Sequence, residues 1–398
     1  MKILIINKFL HPIGGAETYI FKLGRQLEAM GHEVQYFGME HPGRCVGNRV
    51  NAYTSDMDLH IGPVLSQLRY AIKVVYSSEA RRKLRLILED MQPDVIHINN
   101  FNYQLTPSIL LEIQKWRREG HELRVVFTAH DYQLVCPNHM CNDPNTGENC
   151  EKCIGGHYGN CAKHRCIHGS RIKSITGSVE AWTWSRIEAY KAIDVMICCS
   201  KFMKSKLDTD ARFADKTVVM HNFVERLDRP AAEKKDYVLY FGRYSEEKGL
   251  VTLMKAAEQL PEVRFLFAGA GPMEAEIKGK NIQNVGFKTG EELICLVSEA
   301  RFSVCPSEWY ENCPFSVLES VMLGTPVIGA RIGGIPELIE PGRTGELFES
   351  GNADELRDRI RELWDNRELA HRYSVNCRDI RFDTVEEYAE KLMAYYRG

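Results

Sequence analysis

The chain has 398 residues, 44% of them hydrophobic and 26% charged, a composition that fits two ordinary globular domains and excludes long disorder. A net charge of −3 excludes a dedicated nucleic-acid binder, which would carry a strongly basic balance. No apolar run reaches the length of a membrane span, and Met-Lys-Ile-Leu-Ile-Ile-Asn enters a loop without a leader pattern, so a cytoplasmic protein is expected.

The first strand is read at Ile3–Ile6, followed by a glycine-containing loop and a helix from Ala16 to Met30. Ile20, Leu23, Leu27 and Met30 line one face of that helix, and Gly31 suits its C-terminal cap. Strand-like runs follow at Glu33–Phe37, Asp94–Ile98, Arg124–Thr128, Val195–Cys199 and Val218–His221, and a helix near Glu79–Met91 gathers Leu84, Ile87, Leu88 and Met91. The link Glu225–Asp236 is charged and holds Pro230, which marks a domain boundary. A second series begins at Val238–Phe241 and continues at Arg264–Ala268, Ile282–Val285, Phe302–Cys305, Val327–Gly329 and Glu346–Phe348. Continuous apolar strands alternating with helices indicate parallel sheets covered on both faces, so the fold class is α/β with two doubly wound domains. The expected division is 1–228 and 229–380, with a last helix, Val385–Tyr396, inside 381–398.

The densest motif runs from Pro306 to Ile339, where Glu311 and Glu319 stand eight residues apart around Asn312, Cys313, Pro314, Phe315 and Ser316. Pro314 suits the first position of a helix, Leu318, Val321 and Met322 repeat at helical spacing, and Gly324 and Pro326 stop the run. A helix start flanked by carboxylates suits a ligand with hydroxyls at one end, a phosphate in the middle and a ribose at the other. Two solvated glutamates on a core helix is the plainer alternative. Arg243 follows Gly242 at the end of a strand, and Lys248 precedes Gly249 at a helix start. Ligands of open α/β sheets sit beyond the carboxyl ends of the strands, so these two cations are placed for a diphosphate. Gly269-Ala270-Gly271-Pro272 lacks the third glycine of a dinucleotide fingerprint, since Glu274 holds that place. Gly14 and Gly15 close the first loop at a helix N-terminus, where backbone can approach a phosphate.

The Glu311-to-Glu319 run, with the following Gly324-Thr325-Pro326-Val327-Ile328 and Gly333-Gly334-Ile335-Pro336-Glu337, resembles the E-x7-E signature of the retaining glycosyltransferases of family 4. That family has the GT-B fold, two Rossmann-like domains facing a cleft. The resemblance extends in family order from Gly14 to Glu337 and implies a nucleoside-diphosphate-sugar donor. It casts Arg243 and Lys248 on the diphosphate, Glu311 on the sugar hydroxyls, Glu319 on the ribose and amides near Phe315 on developing charge. Val285, Gly286 and Phe287 resemble the segment whose backbone reads the nucleobase. Gly14 and Gly15 resemble the N-terminal donor-contacting loop, and His130 is cast as the residue facing the donor sugar, with Asp131 orienting it or binding acceptor. Asn312-Cys313-Pro314-Phe315 departs from the Gly-Phe-Gly of many relatives and leaves the donor sugar open. The implied reaction is retaining transfer to a glycan or lipid-linked acceptor with no cofactor required. A nucleotide-sugar epimerase or phosphorylase of the same architecture and a non-catalytic zinc-stabilised binding protein are the alternatives.

Six of the thirteen cysteines are Cys136, Cys141, Cys150, Cys153, Cys161 and Cys166, in an expected insertion over about 136–170. Cys150, Cys153, Cys161 and Cys166 are the candidate ligands of a structural zinc, against free thiols in an ordered loop. The stretch Ser170–Tyr190, with Trp182, Trp184, Arg171 and Lys173, reads either as a packed helix or as a helix contacting the inner face of a membrane.

Overall fold

The computed structural model describes residues 1–56, 73–225 and 230–398. The chain divides into one unit of Met1–Met220 with Val385–Gly398 and a second of His221–Thr384. The division thus falls just ahead of the charged link 225–236.

The first unit opens with β1 (Lys2–Ile6), α1 (Gly15–Ala29), β2 (Glu33–Phe37), α2 (Ser78–Met91), β3 (Val95–Ile98), α3 (Ser108–Arg118) and β4 (Arg124–Ala129). It continues through α4 (Gly159–His164), α5 (Arg171–Arg186), a 3-10 turn (Glu188–Ala192), β5 (Val195–Cys198), α6 (Lys201–Leu207) and β6 (Thr217–Val219). All neighbouring strands pair in parallel, in the order β2-β1-β3-β4-β5-β6. The helix faces follow the apolar spacing: Ile20, Leu23 and Leu27 of α1 are buried, while Met30 lies beyond its end and is half-buried. On α2, Leu84, Ile87, Leu88 and Met91 are buried, and Ser77 caps the helix by accepting from the Ala80 N–H at 3.1 Å. Because β1 lies between β2 and β3, chain direction reverses across the sheet there, and a crevice opens beyond the carboxyl ends of β1 and β3.

The second unit holds β7 (Lys235–Phe241), α7 (Leu250–Glu258), β8 (Phe265–Ala268), β9 (Ile282–Asn284), α8 (Gly290–Glu299), β10 (Ala300–Cys305), α9 (Phe315–Met322), β11 (Val327–Ala330), β12 (Gly345–Phe348), α10 (Ala353–Asp365) and α11 (Arg367–Cys377). Its parallel sheet runs β12-β11-β10-β7-β8-β9. Strands after β7 build outward to one side and then, from β10, to the other. The switch point therefore lies between β7 and β10, whose following loops carry Arg243–Lys248 and Pro306–Glu311. Tyr237, Leu239, Phe241, Leu266, Ala268, Val297 and Ala300 form a core cluster that α8 covers.

The last helix, α12 (Val385–Arg397), belongs to the first unit. It packs on α1 and β4 and buries Tyr388, Ala389, Leu392, Met393 and Tyr396. Two of its three tyrosines enter a buried polar chain. Tyr388 Oη lies 2.9 Å from Tyr19 Oη, and Tyr396 Oη lies 2.7 Å from Nδ1 of the fully buried His97. His97 Nε2 meets Thr128 Oγ1, also at 2.7 Å.

This histidine makes the first unit acid-sensitive. Burial, with a smaller push from His130, lowers the His97 pKa from 6.5 to about 3. The folded value is the lower one, so between these values the unfolded chain binds the extra proton. Stability is complete above pH 6.5 and falls as the pH drops toward 3, by ~1.4 kcal/mol per pH unit for one histidine. Urea unfolding at about pH 7.5 and about pH 5.5 checks this: the midpoint should be lower at the acid end. An acid midpoint equal or higher would show that His97 is not buried neutral.

Candidate functional site

In the second unit the site begins with two loops leaving adjacent strands. β7 ends at Phe241, and Gly242 and Arg243 follow beyond the sheet; Arg243 is exposed, and its carbonyl accepts from Tyr240 Oη at 2.8 Å. A 3-10 turn, Glu246–Lys248, then leads to Gly249. A Cβ on Gly249 would stand 1.9 Å from the Pro306 carbonyl oxygen, so only glycine lets this turn seat against the loop after β10. Glu308 N–H donates to the Glu247 carbonyl at 2.9 Å, and Thr252 Oγ1 donates to Glu308 at 2.6 Å, which holds the two loops together.

That seating brings Lys248 to Glu311. The ammonium lies 2.5 Å from Glu311 Oε1, and Ser307 Oγ donates to the same oxygen at 2.7 Å. Burial by itself pushes the Glu311 pKa up, but the Lys248 charge and the hydrogen bonds outweigh it, and the carboxyl is held below its ordinary value. Burial likewise works to lower Lys248, and Glu311 more than reverses it. Both groups are therefore ionised at neutral pH, a charged pair held at the switch point.

Glu311 is fixed from behind by a glycine turn. Gly334 N–H donates to the Glu311 carbonyl at 2.7 Å. Gly333 has φ +57°, and a Cβ there would lie 2.2 Å from that same carbonyl oxygen. Gly333→Ala is expected to cost ~1–3 kcal/mol from the left-handed conformation and clash and, by displacing Glu311, to lower activity at this site by up to ~100-fold. Gly342→Ala is the control, since its φ is +75° but its Cβ would meet nothing within 4 Å. Equal activity in the two variants would dismiss the bracing role.

Beyond Glu311, Asn312, Cys313 and Pro314 lead into α9. The helix starts at Phe315 with Pro314 as its N-cap residue, one residue later than the proline-first reading, because Pro314 has extended ψ and only supplies the first accepting carbonyl. Phe315 and Ser316 open the first turn, where backbone N–H groups have no helical partner. Glu319 stands on the second turn, half-exposed. Cys313 is buried, its thiol pushed up to about 12 by burial. Asn222 holds it from the start of the unit: Asn222 Nδ2 donates to the Cys313 carbonyl at 2.8 Å. His221 Nε2 lies 3.0 Å from Glu337. Gly271 lies in the loop after β8, where Tyr244 N–H donates to the Ala270 carbonyl at 2.9 Å. Gly286 accepts from Gly269 N–H at 3.0 Å, Val285 precedes it, and Phe287 is 72% exposed.

Ser307, Asn222 and the bracing by Gly333-Gly334 were not legible as site contacts. Small polar residues far apart in sequence carry no spacing signal, and Ser307, in the loop after β10, is one such residue.

In the first unit, Gly14 and Gly15 sit at the start of α1, and Gly14 N–H donates to Glu17 Oε2 at 3.1 Å. Glu17 is buried, accepts from Asn7 Nδ2 at 2.9 Å, and burial raises its pKa. Asn7 Oδ1 in turn accepts from Asn100 N–H at 3.1 Å, tying the loops after β1 and β3. His130 follows β4, with Nε2 2.9 Å from Asn99 Oδ1; burial pushes it down to about 3, so it is neutral at pH 7. Asp131 accepts from Gln133 N–H at 2.9 Å, and burial raises its pKa.

The cysteines group differently from the expected four. Cys153, Cys161 and Cys166 share a buried cluster with Tyr158, whereas Cys150 is half-buried and is tied to Cys141 by its backbone, N–H to carbonyl, at 2.7 Å. Cys141 and then Cys153 hydrogen-bond Cys136 and hold its pKa well down, and Cys161 does the same to Cys166. Among the described residues no group of three or more His, Cys, Asp or Glu is arranged to hold a metal ion.

Two family models match in chain order: Glycosyltransferase Family 4 over residues 13–226 and Glycosyl transferases group 1 over residues 224–379. The chain belongs to Glycosyltransferase Family 4. It is a group 1 glycosyltransferase that uses a nucleotide-sugar donor. This glycosyltransferase is 24% identical over 362 residues to an uncharacterized 42.6 kDa protein in the cps region of Klebsiella pneumoniae, covering 85% of this chain and 87% of that one. Its fold matches sucrose-phosphate synthase of Thermosynechococcus elongatus with a TM-score of 0.70 at 19% identity, over 100% and 98% of the two chains. It also matches the HepE protein of Anabaena, solved in complex with UDP and glucose, with a TM-score of 0.64 at 17% identity over 99% of each chain. The two Rossmann-like units are those of a GT-B glycosyltransferase.

Proposed function

We propose that this glycosyltransferase transfers a hexose from a nucleoside diphosphate to a hydroxyl of a glycan or lipid-linked polysaccharide intermediate, with retention at the anomeric carbon. The ion pair at the switch point between half-buried Lys248 and buried Glu311 carries the reading. A binding site for a neutral sugar alone has no use for the ammonium, and a phosphate site alone has no use for the buried carboxylate beside it.

In this reading Lys248 and Arg243 take the diphosphate, and the first-turn amides of Phe315 and Ser316 add partial positive charge. Glu311 accepts from sugar hydroxyls and Glu319 from the ribose; Gly242, Gly271 and the Val285–Phe287 segment receive the nucleotide by backbone and ring. The bond between the anomeric carbon and the β-phosphate oxygen breaks, and the acceptor oxygen bonds that carbon on the same face. The acceptor's proton passes to the departing phosphate oxygen. Lys248 then holds the charge that leaves, so no strong acid is required. Gly14, Gly15, His130 and Asp131 of the first unit are assigned to donor and acceptor hydroxyls, with neutral His130 able to accept a hydrogen bond as well as donate one.

The UDP and glucose bound by HepE make UDP-glucose the first donor to try. Thermal shift against a panel of nucleotide-sugars is the primary test, followed by NMR of the product anomer. One donor should raise the melting temperature and give an α-linked product from an α-linked donor. An inverted product would end the retaining reading, and stabilisation by no donor would end the donor assignment. A structural zinc at Cys150, Cys153, Cys161 and Cys166 belongs to the same proposal: the last three share one buried cluster, and the metal would have to draw the four thiols into a common site that they do not form in its absence. About one zinc per chain by elemental analysis is its expected result, and metal-free protein would remove it.

A further inference from the structure

Helix α5 is built inside out. Its buried face carries Ser174, Gly177, Ser178, Glu180 and Trp184. Its outward face carries Ile172, Ile175, Val179 and Trp182, which are 62%, 45%, 48% and 50% exposed. At 3.6 residues per turn these four positions fall within a stripe ~80° wide and ~15 Å long. A helix packed only for its own fold would place these residues inward.

The orientation is set by specific contacts. Ser174 Oγ accepts from Ile167 N–H at 2.9 Å, Ser178 Oγ donates to the Tyr158 carbonyl at 2.8 Å, and Trp184 Nε1 donates to the Val75 carbonyl at 2.9 Å. A Cβ on Gly177 would come within 2.5 Å of Ile167 Cδ1. Rotating the helix to hide the isoleucines would break all of these at once, so the apolar stripe faces outward by construction.

Charge identifies what covers it. Arg171 and Arg186 are exposed at the two ends of the stripe, Lys173 is beside it, and α4, packed against α5, adds exposed Lys163, with exposed Arg165 just after its end. The only acid within α5, Glu180, is buried on the opposite face. Arg186 lies 3.7 Å over the Trp182 ring, a cation and an amphipathic aromatic at one end of the apolar row. Apolar side chains flanked by arginines with no outward acid fit a surface that is apolar beneath and anionic on top. Among the described residues no helix is long and apolar enough to cross a membrane.

We propose that α5 docks this protein on an anionic lipid surface, with Ile172, Ile175, Val179 and Trp182 entering the headgroup–acyl boundary and Arg171, Lys173 and Arg186 meeting lipid phosphates. The inference is independent of the sugar chemistry, because the lipid test contains no donor. The full chain is sedimented with phosphatidylcholine vesicles and with vesicles containing about one-third phosphatidylglycerol. Wild type should partition onto the second kind and be released by salt. Ile175→Ser/Trp182→Ser should weaken partition by at least ~10-fold without lowering the melting temperature, since both side chains are half-exposed. Arg171→Gln/Arg186→Gln should remove the preference for anionic vesicles. Absence of vesicle binding, or binding that neither variant reduces, overturns the proposal. So does a wild-type dimer that the serine variant dissociates, which would make the stripe a contact between copies of this chain.

Discussion

Glu311→Gln is expected to lower transfer by about 100- to 1,000-fold in kcat while the protein still folds. The substitution preserves shape and leaves an oxygen for Ser307, which donates to Glu311 at 2.7 Å. It removes the charge that holds Lys248, 2.5 Å away. Glutamine can still accept from a sugar hydroxyl, but it cannot keep the ammonium oriented or stabilise positive charge developing at the anomeric carbon. Glu311→Ala is the harsher companion. It leaves the Lys248 ammonium partly buried without its partner, so it should also destabilise the second unit by ~3–5 kcal/mol. Steady-state kinetics and thermal melts of both variants separate the effects. Wild-type transfer in a folded Glu311→Gln protein would take the residue out of the chemistry.

Ending the chain at Thr384 should leave the first unit unable to fold, although every residue of its sheet is still present. Removing α12 takes away four large buried side chains, Tyr388, Leu392, Met393 and Tyr396, and uncovers the surface they pack on. Their burial is worth on the order of 10 kcal/mol at most, comparable with the ~5–15 kcal/mol that holds a typical domain together. The deletion also strips Tyr19 and His97 of tyrosine partners at 2.9 and 2.7 Å, in a place water does not reach. Limited proteolysis should then cut within 1–220 and spare 221–384. The point variant Tyr396→Phe isolates the polar part: it orphans His97 Nδ1 and should cost ~1–3 kcal/mol. A truncated protein that melts like the full chain would show that α12 is an accessory.

The strands were legible because parallel strands buried on both faces read as unbroken apolar runs: Ile3–Ile6 and Phe302–Cys305 lie inside β1 and β10. The α2 face was legible from helical periodicity, one side of the helix being buried and the other exposed. Helix α5 shows where that logic stops. Periodicity finds the stripe of Ile172, Ile175, Val179 and Trp182 but not the side of the helix on which solvent lies; the contacts of Ser174, Gly177 and Ser178 decide that. The choice between Trp182 and Trp184 is similar: they are two residues apart, and only Trp184 is buried.

By itself the sequence determined the alternation of strand and helix, the parallel class of both sheets, and the residue types gathered near Glu311. These are local properties, carried by residue spacing and by the chemistry of a strand end followed by a helix start. The tertiary structure alone decided strand order, and with it the switch point that sets the loop of Lys248 beside the loop of Glu311, 63 residues on. It also decided that Gly333-Gly334 braces Glu311, that Asn222 holds Cys313, and that the Cys136 thiol meets those of Cys141 and Cys153. Each is a contact between segments distant along the chain, formed where sheet pairing and close packing leave room, and residue spacing contains no record of it.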